Sequence, residues 1–176
     1  MIAPEMTTRR NFLQQSTLLL AGVRFARAAE ANYVTAETSS GKVRGVIVED
    51  IRIFKGIPYG GSPTGKNRFM PPAKPAKWTG VRDALDYGPT APQPAPANRN
   101  GNGPAQGEDC LVLNVYTPSL NREVKRPVMV WLHGGGFSTG SASGATIQGA
   151  NLAHTGNAVV VGINHRLGVL GQTYLG

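Results

Sequence analysis

The chain has 176 residues, 40% of them hydrophobic and 16% charged, with a formal net charge of +8. That is enough apolar chain for one domain with its own core, and too much for a wholly disordered tail. Twenty-three glycines and thirteen prolines without a G-X-Y period exclude collagen and imply many loops, while the single cysteine excludes an internal disulfide framework and a zinc site of several thiolates. Four arginines lie in the first 28 residues; the remaining bases form no stripe with interleaved aromatics and only Arg122, Lys125 and Arg126 make a tight group, so no nucleic-acid partner is read from them.

In chain order, Thr8-Arg9-Arg10-Asn11-Phe12-Leu13 places paired arginines before a short apolar stretch from Leu18 to Val23. Ala26-Arg27-Ala28 then offers a small-residue cleavage site. Residues 1–28 are expected to be an export signal. The stretch is too short to span a bilayer, and no run of 18 apolar residues follows, so no membrane partner is expected for the mature chain. The RRxFL pattern resembles the twin-arginine type of signal, with Gln14 where a lysine is common. That resemblance implies the twin-arginine (Tat) export machinery as a partner, and a periplasmic or secreted destination for a protein that folds before it is exported.

Residues 29–176 are expected to form one portion of an α/β domain. Residues 41–48 and 51–57 are β-rich runs joined at Glu49-Asp50, a hairpin signal. Residues 60–80 are dense in Gly and Pro and read as loop, as do residues 92–107. Three further strands are expected at 111–117, 128–132 and 158–163, with a short crossover helix over 149–154. The runs 128–132 and 158–163 are almost continuously apolar, which predicts strands covered on both faces. From Pro127 to Gly176 the only charged residue is Arg166. So neutral a half requires cover, and the chain is expected to stop in the middle of a sheet.

The chemistry gathers at residues 133–137. His133-Gly134-Gly135-Gly136-Phe137 directly follows the apolar strand at 128–132. A glycine triplet leaving a strand lets successive backbone N–H groups turn toward one point without interference from Cβ atoms. Donors held in that way can stabilise an oxyanion as it develops.

With this loop the chain resembles the type-B carboxylesterases, the family that includes cholinesterases and para-nitrobenzyl esterases. Phe54-Lys55-Gly56-Ile57-Pro58-Tyr59 is similar to their FxGIPYA segment, and Asn67-Arg68-Phe69 with Trp78 to their RF…W stretch. Glu108-Asp109-Cys110-Leu111-Val112-Leu113-Asn114-Val115-Tyr116-Thr117-Pro118 resembles EDCLxLNVYxP, and Asn164-His165-Arg166-Leu167-Gly168 resembles NYRLG. The resemblance implies the amino-terminal part only of an α/β-hydrolase fold: its β-hairpin and the first strands of the central sheet. It implies a small-molecule ester as substrate, a serine nucleophile and an acyl-enzyme, with no cofactor. The N–H groups of Gly135 and Gly136 would be two oxyanion donors. Gly134 and His133 would shape the loop, His133 without acting as the base. Arg68 and Glu108 would form a buried ion pair, and Arg166 would pair with an aspartate that this chain does not contain. Ala91 stands where many members carry a cysteine partner for Cys110, so Cys110 is expected to be a free buried thiol. Val112 and His165 replace more usual aromatics.

One GxSxG string is present, Gly136-Phe137-Ser138-Thr139-Gly140. It overlaps the oxyanion loop, no helical periodicity follows it, and no Asp or Glu occurs after Glu123. A Ser, acid, His order therefore cannot be completed from Ser138. The nucleophile, acid and histidine are expected beyond residue 176. A truncated remnant or a binding-only member of the fold is the competing reading.

Overall fold

A computed structural model describes residues 32–94, 105–143 and 149–173. The expected signal at 1–28 lies outside the described residues, as does the greater part of the loop at 92–107. The described chain is built on one seven-stranded sheet. Its strands are β1 (Tyr33–Glu37), β2 (Lys42–Val48), β3 (Ile51–Pro58), β4 (Val81–Asp83), β5 (Val112–Thr117), β6 (Val128–Leu132) and β7 (Val159–Ile163). Two short helices, α1 (Ala150–Thr155) and α2 (Gly168–Gln172), flank β7 in sequence. The strand order is β1-β2-β3-β5-β7-β6, with β4 paired to β2 off that path.

The hairpin β2–β3 follows from its turn. Glu49 and Asp50 both have positive φ, 47° and 63°, the pattern of a two-residue loop whose twist matches the strands it joins. The β3–β5 pairing shifts register between Phe54 and Ile57. Gly56 sits in that irregularity at φ 66°, and a Cβ there would press on the Asp86 carbonyl at 2.8 Å. Its N–H donates to the Asn114 side-chain oxygen at 3.0 Å, so the bulge keeps its hydrogen bond although the ladder is interrupted.

Strand alternation sends apolar side chains to both faces. Ile51, Ile53, Tyr116, Ala153 and Val160 form one buried cluster, in which α1 supplies Ala153. Val43, Phe54 and Ala84 form another, packed with Trp78 and Val115. Between β3 and β4 the chain is loop apart from a single 3-10 turn at Gly65–Asn67, in keeping with its Gly and Pro content. Sequence patterning missed β1, β4 and α2, all of five residues or fewer.

The apolar runs 128–132 and 158–163 are suited to strands covered on both faces, and the neutral half that holds them was expected to need cover from elsewhere. β7 has that character in part, with Val160 only 5% exposed. β6 does not: it is the last strand of the sheet, and Val128, Val130 and Leu132 are 62%, 53% and 65% exposed. An apolar run records what a strand is suited to contact. Cover has to come from other segments, and among the described residues none packs over β6.

Candidate active site

β6 and β7 run parallel, with Leu132 opposite Ile163. Their carboxyl ends therefore open side by side, where α/β sheets place their ligand crevices. The chain leaving β6 is His133; the chain leaving β7 is Asn164-His165-Arg166. The two imidazoles stack with centroids 4.2 Å apart and planes 6° from parallel. His133 is buried, and its Nδ1 lies 2.9 Å from the Gly134 carbonyl, so that nitrogen carries the proton. Burial, reinforced by the neighbouring His165, pushes the His133 pKa below the ordinary histidine value. Its ring is thus a neutral support under the loop.

The loop itself is a tight turn on left-handed backbone. Gly135, Gly136 and Phe137 have φ of 123°, 59° and 58°, and Gly140 has 112°. Gly135 admits no other side chain, because a Cβ would run into the Thr139 carbonyl. That crowding comes from the turn: the Gly135 carbonyl accepts from the N–H groups of Ser138 and Thr139, both at 3.1 Å. With the carbonyls turned inward, the N–H groups of Gly135 and Gly136 find no acceptor among the described residues. Both residues are exposed. The arrangement can therefore offer two adjacent donors to an incoming oxygen.

The turn is tied to the scaffold at three places. The Phe137 carbonyl accepts from Gly168 N–H at 2.7 Å. Gly140 pairs with the Gln93 side chain through both its N–H and its carbonyl. Beyond it, Ala142 N–H donates to Asn164 Oδ1 at 2.7 Å, and its carbonyl accepts from Asn114 Nδ2 at 3.0 Å. Asn114 and Asn164 are each 1% exposed. Asn164 also donates to the Pro89 carbonyl and contacts Ser143 Oγ. Sequence reasoning assigned no role to Gln93, Asn114 or Asn164. For the two asparagines a signal existed: each interrupts or ends an apolar run, and a buried amide must find partners.

Ser138 occupies the outside of the turn, exposed, with its hydroxyl donating to the Gly136 carbonyl at 3.3 Å. It leads into no helix. His154 is exposed on α1. Among the described residues no histidine is hydrogen-bonded to Ser138.

Arg68 and Glu108 form a bidentate pair, Nε to Oε2 at 2.8 Å and a terminal nitrogen to Oε1 at 2.6 Å. The expectation of a buried pair is corrected, since the side chains are 43% and 24% exposed. Both belong to loop segments at the rim, where solvent screens the pair and breaking it would not leave a charge in a dry interior. Arg166 donates to the Arg68 carbonyl at 2.7 Å, joining the segment after β7 to the same loop. Cys110 is a free, fully buried thiol in a cluster with Ala91 and Leu167. Burial pushes its pKa up, so it stays protonated and is a poor nucleophile. Among the described residues no group of three His, Cys, Asp or Glu side chains could hold a metal ion.

A mixed sheet with a glycine loop at the end of a parallel strand marks an α/β hydrolase, and similarity to known proteins makes the class specific. The profile of the carboxylesterase family matches residues 31–176, and the chain belongs to that family. It is 42% identical over 141 residues to phenmedipham hydrolase of Pseudarthrobacter oxydans, covering 77% of this chain and 28% of that protein. It is 41% identical over 140 residues to para-nitrobenzyl esterase of Bacillus subtilis strain 168, covering 78% of this chain and 28% of that protein. The crystal structure of a Geobacillus stearothermophilus carboxylesterase superposes with a TM-score of 0.70 at 42% identity, over 78% of this chain and 27% of that one. The fold is that of the α/β hydrolases. The chain spans little more than a quarter of the length of these relatives.

Proposed function

We propose that the protein is an exported serine carboxylesterase of which this chain supplies the oxyanion-binding loop. The observation that carries the reading is the pair of exposed N–H groups of Gly135 and Gly136, left without acceptors on left-handed backbone at the carboxyl end of β6. Membership of the carboxylesterase family supports it. In this reading a small-molecule ester places its carbonyl oxygen on the two N–H groups. As a serine attacks, the carbonyl becomes a tetrahedral oxyanion that the donors stabilise. The intermediate then collapses with cleavage of the ester C–O bond, the alcohol leaves with the proton taken from the serine, and water attacks the resulting acyl-enzyme to release the acid and restore the serine. The serine, its acid and its histidine are assigned to sequence outside these 176 residues. His133, neutral and stacked, shapes the loop and does not serve as the base.

The test compares p-nitrophenyl ester hydrolysis by the full-length gene product and by residues 29–176 alone. The full-length protein is expected to turn over; the shorter chain is expected to match the buffer blank. Gly135→Ala, which drives a Cβ into the Thr139 carbonyl, should displace the donors and lower kcat by about 10²–10³-fold. Ser138→Ala should leave kcat within about twofold, in line with its place on the outside of the turn. Turnover by residues 29–176 that Ser138→Ala abolishes would instead make Ser138 the nucleophile.

A further inference from the structure

The amide of Gln93 lies 47 residues before Gly140 in sequence and grips it in space. Gly140 N–H donates to Gln93 Oε1 at 2.8 Å, and Gln93 Nε2 donates to the Gly140 carbonyl at 2.9 Å. The side-chain amide thereby imitates one rung of a strand ladder, meeting both backbone groups of a single residue. The gripping residue is itself held. Its Nε2 also donates to the Ala91 carbonyl at 3.1 Å, and its own N–H donates to Gln106 Oε1 at 2.9 Å.

Gly140 is where the loop closes on its own beginning. At φ 112°, a Cβ on it would collide with the Gly134 carbonyl and the His133 ring. Fixing Gly140 therefore fixes the distance between the two ends of the turn that carries Gly135 and Gly136. The remaining hydrogen bonds of 134–139 are made by the turn to itself, by the Gly168 N–H and by the adjacent His133 ring at the Gly134 carbonyl, so among the described residues Gln93 is the side chain from a distant segment that holds this turn.

We propose that Gln93 is a positioning residue for the oxyanion loop, holding the Gly135 and Gly136 N–H groups on target through Gly140. This rests on the esterase reading above. Hydrogen-bond donors accelerate acyl transfer when they are preorganised, and a misplacement of about 1 Å can cost on the order of 10²-fold in rate. The effect should fall on kcat more than on KM, because the charge that the donors meet develops only in the transition state.

Two variants of the full-length protein test this. Gln93→Met keeps the length of the side chain and removes both bonds. It should lower kcat about 10–100-fold with KM within about twofold, and speed amide hydrogen exchange in the peptide covering 133–140. Gln93→Glu adds a readout that packing alone would not move. Ionised, its carboxylate offers only acceptors and opposes the Gly140 carbonyl; protonated, it offers one donor and one acceptor, as the amide does. The ratio of its kcat to that of the unsubstituted protein should therefore rise as pH falls toward the carboxyl range. Unchanged exchange across 133–140 in Gln93→Met would overturn the clamp, whatever the rates. Faster exchange with an unchanged kcat, or a pH-independent ratio for Gln93→Glu, would overturn its role in positioning. Absence of ester hydrolysis in the unsubstituted full-length protein would defeat the esterase reading and with it the role in positioning.

Discussion

His133 is expected from the resemblance to shape the loop and not to act as the base, and the fold shows what its ring touches. In the fold its Nδ1 is occupied by the Gly134 carbonyl and its face is covered by His165. Burial and His165 hold its pKa below the usual value, whereas in the unfolded chain it titrates near about 6.5. The unfolded chain therefore takes up a proton first as pH falls. Stability contributed by the neutral ring is present above about pH 6.5 and is lost as pH drops from there toward the folded value. Thermal unfolding between pH 7.5 and 5.5 should show a falling Tm, and His133→Asn should flatten that slope even if it lowers Tm at every pH. Parallel slopes for the two proteins would show that His133 is not the titrating group.

Secondary-structure elements divide into those that local pattern explains and those that need a neighbour. The β2–β3 hairpin is local: two apolar runs joined by a two-residue turn at Glu49 and Asp50. β6 depends on its surroundings. Its continuous apolar run is the sequence of an interior strand, yet it lies at the edge with most of its side chains in solvent. Edges of that kind template pairing with further strands. A solution of residues 29–176 should accordingly self-associate, seen as concentration-dependent light scattering. Val130→Lys, placing a charge on an exposed position in the middle of the edge, should suppress it. Scattering that the lysine leaves untouched would place the sticky surface elsewhere.

Taken together, the elements converge on the carboxyl end of β6. The loop there receives Gln93 from one side, Asn114 and Asn164 from beneath, and Gly168 from beyond β7. Arg166 and the Arg68–Glu108 pair connect the loops behind it. Export by the twin-arginine route is proposed for residues 1–28 from their sequence. Joined to a folded reporter, the first 35 residues should direct it across a bacterial inner membrane, and Arg9→Lys with Arg10→Lys should block that transport. Normal export of the double-lysine form would remove the twin-arginine reading.

The hairpin, strands β5 to β7, α1 and the glycine loop are all legible in the sequence, because each is encoded by side-chain period, turn chemistry or a contiguous motif. β1 and β4 are not, since neither carries a continuous apolar run like those of β6 and β7, and both are held by their partner β2. The loop at 133–137 was legible as a source of donors. That Gly135 and Gly136 keep theirs free, while Gln93 holds the turn shut, came only from tertiary structure: hydrogen bonds between residues tens of positions apart leave no periodic trace. The exposure of the Arg68–Glu108 pair was decided there too. Charge and apolarity are properties of residues, whereas burial depends on which other segments arrive to cover them.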